Sequence, residues 1–197
     1  MQYICSENQP NQQELNTLSD NSLMLKVKEG EIHKLGLLYE RYKKRLFGFF
    51  FQMNKNASLS EDLVQNVFIK ILKYKHTFNE ESKFITWIFQ IARNEMYDEF
   101  KKQKKNQHKD IEEVGYTISG DVTIDERIEN IENSSTLNSA LNLLSSEKKE
   151  VIVLNKIKEL KYKEVGEIIG CSEGNARIKV YRAINELKSI FLTLEKQ

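Results

Sequence analysis

Arg177, Lys179 and Arg182 fall within six residues of one another on a predicted helix. Their types fit nucleic acid, because cations on the flanks of a helix lying in a major groove meet phosphates while outward side chains reach base edges. Asn175, Ile178, Arg182 and Asn185 point outward at about 100° per residue, with Tyr181 beside them and Arg177 and Lys179 on the two flanks. The opposite side of the same helix is apolar through Ala176, Val180, Ala183, Ile184, Leu187 and Phe191. A solvated amphipathic helix in an ordinary bundle would show the same pattern.

The element that must position this face is the stretch Leu160 to Leu187, which reads as two short helices joined by a tight turn. Tyr162, Val165, Ile168 and Ile169 give the first helix its stripe. Gly170 stands where a left-handed cap is needed, and Ser172 can cap the second helix from Glu173. Other chemistry has less support. Cys5 and Cys171 are isolated, so reduced thiols are expected, and His33, His76 and His108 show no metal-ligand spacing. With no glycine-rich phosphate loop and no nucleophile paired to a base, neither an enzyme nor a cofactor is expected.

The 197 residues hold one ordinary domain or two small ones, and 40% hydrophobic with 30% charged content suits a protein with real cores. No apolar run approaches the roughly 20 residues of a membrane span. Met1 to Asp20 is polar and lacks a signal sequence, so a cytoplasmic chain without membrane insertion is expected. One proline, eight glycines and no sustained alternation argue for an all-α fold. A formal net charge of +1 hides strong segregation. Lys101, Lys102, Lys104, Lys105 and Lys109 cluster, whereas Asp110 to Glu132 carries eight acidic residues against the single Arg127.

Taken in order, residues 1–18 read as a loose tail. Ser19 or Asp20 caps a short helix that Gly30 stops. From Glu31 the positions Leu35, Leu38, Tyr42, Leu46, Phe49, Phe50 and Met53 predict a core helix. Ser58 or Ser60 caps the next, whose stripe is Leu63, Val67, Ile71 and Tyr74, widened by Phe68 and Leu72. After a polar break at His76 to Lys83, a third stripe runs through Phe84, Trp87, Ile88, Ile91, Ala92 and Met96, with Trp87 expected in the core. Residues 19–105 thus form one helical domain, 106–135 an acidic linker, and 136–197 a second, four-helix domain. In that second domain Leu137, Leu141 and Leu144 mark one helix, and Val151 to Ile157 the helix begun by Ser145 or Ser146.

Two separately folded helical domains on an acidic tether, the second ending in a helix-turn-helix, resemble the ECF (extracytoplasmic-function) group of bacterial sigma factors of the sigma-70 family. SLSEDLVQNVFIKILKY resembles the second helix of region 2, and FITWIFQIARNEMYDEFKK resembles its promoter-reading helix. LKYKEVGEIIGCSEGNARIKVYRAINELK resembles the region 4 helix-turn-helix. The three occur in the family's order and cover most of Leu23 to Leu192.

The resemblance implies an initiation factor that binds core RNA polymerase, recognises and opens promoter DNA, and is held in check by an anti-sigma factor, the free chain being monomeric. Asp62, Gln65, Asn66, Phe68 and Lys70 would face the polymerase; by spacing alone Phe68 is equally a core residue and the others a solvated face. Phe78, Asn79, Ser82 and Lys83 would capture a base flipped from the minus-ten element, where a plain surface loop is the competing reading. Arg93, Asn94, Tyr97, Lys101 and Lys102 would follow the opening duplex, with Asp98 buttressing the helix by local pairing. Asn175, Arg177, Ile178, Lys179, Tyr181 and Arg182 would contact the minus-thirty-five element, Arg182 gripping a guanine edge with two hydrogen bonds. Asn175, Ala176 and Ile178 stand where many members carry Thr, Val and Ser, so the base preference does not carry over. The acidic linker would thread the polymerase or serve merely as a solubilising spacer. The alternative function is a helix-turn-helix regulator that acts without binding the polymerase core.

Overall fold

A computed structural model describes residues 18–107 and 132–196, with the side chains of 104–107 and 132–135 left aside. Eight α-helices and no strand occur among the described residues. The expected tail, except for Leu18, and the acidic stretch 108–131 lie outside them.

Helix α1, Asp20–Glu29, starts at Ser19, whose hydroxyl accepts from the Ser22 amide, and ends on Gly30 at φ 117°. That backbone suits only a residue without a Cβ clash. A 3-10 turn at Ile32–Lys34 leads into α2, Leu35–Asn54, which buries all seven positions of its predicted stripe. Helix α3, Ala57–Tyr74, is capped by Asn56, whose Oδ1 accepts from the Leu59 amide, ahead of the expected Ser58 or Ser60. Ser60 is instead buried inside the helix and donates back to the Asn56 carbonyl at 2.6 Å. On α3 the core stripe is Leu63, Val64, Val67, Phe68 and Ile71; Tyr74, expected in the stripe, and Leu72, expected to widen it, face solvent. Helix α4, Phe84–Gln107, completes the first bundle.

The bundle core is aromatic. Phe49, Phe50, Phe78, Phe84 and Phe89 are fully buried, meeting largely edge to face, as in the Phe49–Phe89 pair at 5.7 Å. Trp87 packs at the border of this core against Phe78 at 5.3 Å. Asp20 ties α1 to α2 by accepting from the Tyr42 hydroxyl and from Arg41 Nη1, both at 2.6 Å. Burial and that carboxylate push the Tyr42 phenol far above its ordinary pKa of 10.

Beyond the undescribed stretch, α5 spans Glu132–Leu143 and α6 Ser146–Ile152. The chain then widens into one π turn, Val153–Ile157, where sequence periodicity predicts uninterrupted α-helix. Helices α7, Tyr162–Ile169, and α8, Glu173–Leu194, form the helix-turn-helix. Gly170 holds φ 77°, and the Ser172 hydroxyl accepts from the Asn175 amide at 3.3 Å, as the sequence predicts. Gly166 matters for close approach instead. A Cβ there would sit 2.7 Å from the Cys171 carbonyl oxygen, so the turn folds onto α7 only because that position is bare.

The second bundle has a small core of its own: Leu141, Leu144, Val151, Ile152, Val180 and Ala183. Its other apolar residues, Val153, Leu154, Leu160, Val165, Ile168 and Ala176, join the core of the first bundle. The sequence predicts two separately folded modules and leaves their relative placement open; in the structure α7 lies along α4 and the two bundles share one apolar interior.

Candidate nucleic-acid interface

Helix α8 presents its predicted face intact. Asn175, Arg177, Ile178, Lys179, Tyr181, Arg182 and Asn185 are exposed, Tyr181 at 66%, while Ala176, Val180 and Ala183 are buried beneath them. Arg177 pairs with Glu173 at 3.7 Å and lies over the Tyr162 ring at 5.3 Å, which steers its guanidinium to the helix N-terminal flank. Lys179 and Arg182 have no ionic partner among the described residues. Such a helix offers exposed donors around an apolar contact at Ile178, suited to base edges and a thymine methyl.

The residues predicted for the first bundle divide into three groups. Phe78 is 1% exposed and packs against Phe84 and Trp87, so its ring cannot stack on a base; the aromatic core holds it away from solvent. Asn79, Ser82, Asn94, Lys101 and Lys102 are exposed. Asn79 shapes the loop, its Oδ1 accepting from the Glu81 amide at 3.2 Å, and Lys102 approaches Glu99 at 3.7 Å. Lys83, Arg93 and Tyr97 are already occupied by the second bundle.

Glu164 of α7 takes Lys83 Nζ at 2.7 Å. Glu150 of α6 accepts from Arg93 Nε at 2.9 Å on one oxygen and from the Tyr97 hydroxyl at 3.2 Å on the other. Gln90 Nε2 donates to the Glu167 carbonyl at 2.9 Å between them. Positions 83, 90, 93 and 97 share one side of α4 and its entry, so this contact runs for about 20 Å at 1.5 Å per residue. Glu150 is only 2% exposed; burial pushes its carboxyl above the ordinary 4.5, with Arg93 and Tyr97 pulling the other way. For Glu164 burial also acts upward, yet the Lys83 ammonium and the Lys161 amide prevail and hold its carboxyl below 4.5. The two glutamates therefore differ in how readily they keep their charge. Where this contact ends, Arg93, Asn94, Tyr97, Asp98 and Lys101 line an open cleft of about 500 Å³ opposite Glu147.

On α3, Asp62 and Gln65 are exposed, while Asn66 donates to Glu95 Oε1 at 3.0 Å. Phe68 belongs to the core, edge-on to Tyr39 at 5.0 Å. Lys70 pairs with Glu95 and, at 3.3 Å, with Asp98; burial lowers its pKa, but the two carboxylates prevail and raise it. Asp98 therefore bridges to a neighbouring helix where local pairing is expected. Sequence reasoning misses the apolar part of this surface. Ile69 at 63% exposure and Leu72 project from α3, and a groove of about 350 Å³ lies between α2 and α3, lined by Tyr39, Lys43, Lys44, Phe47, Glu61, Val64 and Gln65. Two large apolar residues lying off the buried stripe are the available signal.

Among the described residues no group of three or more His, Cys, Asp or Glu side chains is placed to hold a metal, and no helix is long and apolar enough to cross a membrane.

Comparison with known proteins agrees with this arrangement. The family model of Sigma-70 region 2 matches residues 38–106, and that of Sigma-70, region 4 matches residues 135–187. The ECF RNA polymerase sigma factor SigM of Bacillus subtilis is 29% identical over 161 residues, covering 78% of this chain and 93% of its own. SigW of the same organism is 26% identical over 170 residues, covering 82% and 91%. Among solved structures, the sigma factor RpoE in complex with the anti-sigma factor NepR from Bartonella quintana superposes with a TM-score of 0.63 at 24% identity, covering 79% of this chain and 95% of that one. CnrH in complex with the cytosolic domain of CnrY gives 0.66 at 20% identity, covering 88% and 97%. With both sigma-70 regions present in order and relatives of this kind matched over nearly their full length, the chain belongs to the ECF group of the sigma-70 family of RNA polymerase sigma factors.

Proposed function

We propose that this sigma factor joins core RNA polymerase through α3 and the groove between α2 and α3, and brings the enzyme to promoters read at two places. The observation that carries the reading is the α8 face: cationic and polar side chains exposed over a buried apolar stripe, on the second helix of a helix-turn-helix. Asn175, Ile178, Tyr181 and Arg182 meet base edges of the minus-thirty-five element, with Arg177 and Lys179 on phosphates. Asn79, Ser82, Lys83, Arg93, Asn94, Tyr97, Lys101 and Lys102 meet the minus-ten strand and the duplex edge, with Phe78 supporting the loop from beneath. Asp62, Gln65 and Lys70, joined by Ile69 and Leu72, face the polymerase; Asn66 and Phe68 hold that surface in shape.

The functional units are residues 19–105 and 136–197, linked by 106–135. The polymerase performs the nucleotidyl transfer, so the chain itself is no enzyme, and it works in the cytoplasm. Two solved structures of the same fold contain anti-sigma factors or a partner's cytosolic domain, and a comparable inhibitor is the expected regulator here.

Run-off transcription with core enzyme on a promoter library tests the reading. Promoter-specific transcripts are expected only when both proteins are present, and Arg182→Ala should relax choice at one upstream base pair by roughly 10- to 100-fold, the worth of one bidentate contact. Specific DNA binding that proceeds equally well without core, with no transcripts, would favour a regulator independent of polymerase.

A further inference from the structure

We infer that the second bundle holds the free chain shut by charge mimicry: the carboxylates of Glu150 and Glu164 occupy the positions on α4 where strand phosphates bind. This rests on the reading of α4 as the strand-binding helix. A guanidinium and a phenol converging on two oxygens of one buried carboxylate form the arrangement in which they would hold two oxygens of a phosphate. The spacing supports the same conclusion. Lys83 engages one carboxylate, Arg93 and Tyr97 another, and Gln90 a carbonyl oxygen between them, so four polar groups of α4 and its entry receive oxygen acceptors from α6 or α7.

The α2 side of the same contact is built differently. Arg45 reaches the Lys158 carbonyl at 2.8 Å, which brings two cationic side chains together. Burial and Arg45 push the Lys158 ammonium below its ordinary pKa, and burial with Lys55 does the same to Lys149. Closure is therefore charge-paired along α4, whereas along α2 it sets like charges side by side around the Arg45 hydrogen bond. A contact so balanced gives way to a stronger polyanion competing for α4, or to a partner that draws α2 and α3 away. Meanwhile the α8 face stays open, so the closed chain can meet duplex DNA through α8 while α4 is covered.

The test uses the full chain. Dyes are placed at Glu29→Cys and Lys188→Cys, two exposed positions in different bundles, with Cys5→Ser and Cys171→Ser. Energy transfer between the dyes and binding of a 12-nucleotide oligo(dT) strand are compared for the parent and for Glu150→Gln with Glu164→Gln. These replacements keep the side-chain shape while removing the charge and one of the two acceptor oxygens. The variant should lose at least half of the transfer efficiency and bind the oligonucleotide at least tenfold more tightly, whereas Glu150→Asp with Glu164→Asp should leave closure within twofold of the parent. Circular dichroism must show equal helix content. In a folded variant, unchanged transfer or an affinity within twofold of the parent overturns the inference. Run-off transcription with core separates the two levels: absent transcripts from the parent chain defeat the functional reading, while normal transcripts beside unchanged transfer defeat only the closed state.

Discussion

Helices α4 and α8 carry similar rows of cations and polar groups, yet one is neutralised within the chain and the other faces solvent. On α8, Ala176, Val180 and Ala183 fasten the helix from behind, so the outward row, apart from Arg177 with its Glu173 and Tyr162 contacts, has no structural duty. On α4, Arg93 neutralises a buried carboxylate to which Tyr97 also donates, and both offer groups suited to DNA. Residue type and spacing are thus insufficient to say which row is available; what packs against each row decides it.

The largest expected effect breaks the comparison outright. Arg93→Ala leaves Glu150 buried with only the Tyr97 hydroxyl, and removing one partner of such a pair costs about 3–5 kcal/mol. Arg182→Ala should stay within about 0.5 kcal/mol of the parent, because nothing in the fold leans on it. Urea unfolding of both variants reads the contrast; equal stabilities would mean that α4 and α8 are not differently engaged.

Lys149 sharpens the same contrast from the α2 side. It is 6% exposed, donates to Asn142 Oδ1 at 2.8 Å, and its ammonium is pushed down from 10.5 to about 8, by burial first and Lys55 second. Between about pH 8 and 10.5 the unfolded chain keeps a proton that the folded chain has released, so stability should rise with pH across that window, by up to roughly 3 kcal/mol. Lys149→Met should remove most of this slope; Lys55 and Lys158, shifted in the same direction, leave a remainder. A pH profile of thermal unfolding that is equally steep in the variant would contradict the assignment.

Gly166→Ala tests the support behind α8. The added methyl meets backbone at 2.7 Å, and overpacking of that kind costs about 1–3 kcal/mol. Because the turn must shift, affinity for upstream-element duplex should fall along with stability, in contrast to Arg182→Ala, which weakens binding alone. The smallest effect concerns the Lys83–Glu164 pair. The Lys83 side chain is 58% exposed, so raising salt should screen it, and Lys83→Ala should leave thermal stability nearly unchanged at high ionic strength.

Much of this fold is legible in the sequence because apolar periodicity and caps are local signals. The seven-residue stripe of α2, the left-handed glycines 30 and 170 and the Ser172 cap all follow from short-range rules, as does the outward row of α8. Long-range occupation is different. Nothing local says that Arg93 meets Glu150 fifty-seven residues later, because groups spaced for phosphate suit a carboxylate equally well. Phe78 reads as a loop aromatic since its neighbours are polar, although Phe84 and Trp87 draw it inward. Leu72 and Tyr74 read as core because periodicity defines a face without defining how wide the neighbouring helix is. Asn56 loses the cap to Ser58 or Ser60 in a sequence reading because all three are good caps and only the turn geometry selects among them.

The loop before α4 owes its shape to α1. Lys28 Nζ donates to the Phe78 carbonyl at 2.7 Å, Asn21 Nδ2 donates to the Ser82 carbonyl at 2.7 Å, and Asn21 Oδ1 accepts from the Phe84 amide at 2.8 Å. Both ends of the loop are thereby pinned to a helix that precedes the matched region beginning at residue 38. Grafting residues 38–106 into a relative would transplant the loop before α4 without the jig that moulds it, and a chimaera meant to test the proposed role of that loop should take residues 19–106 together.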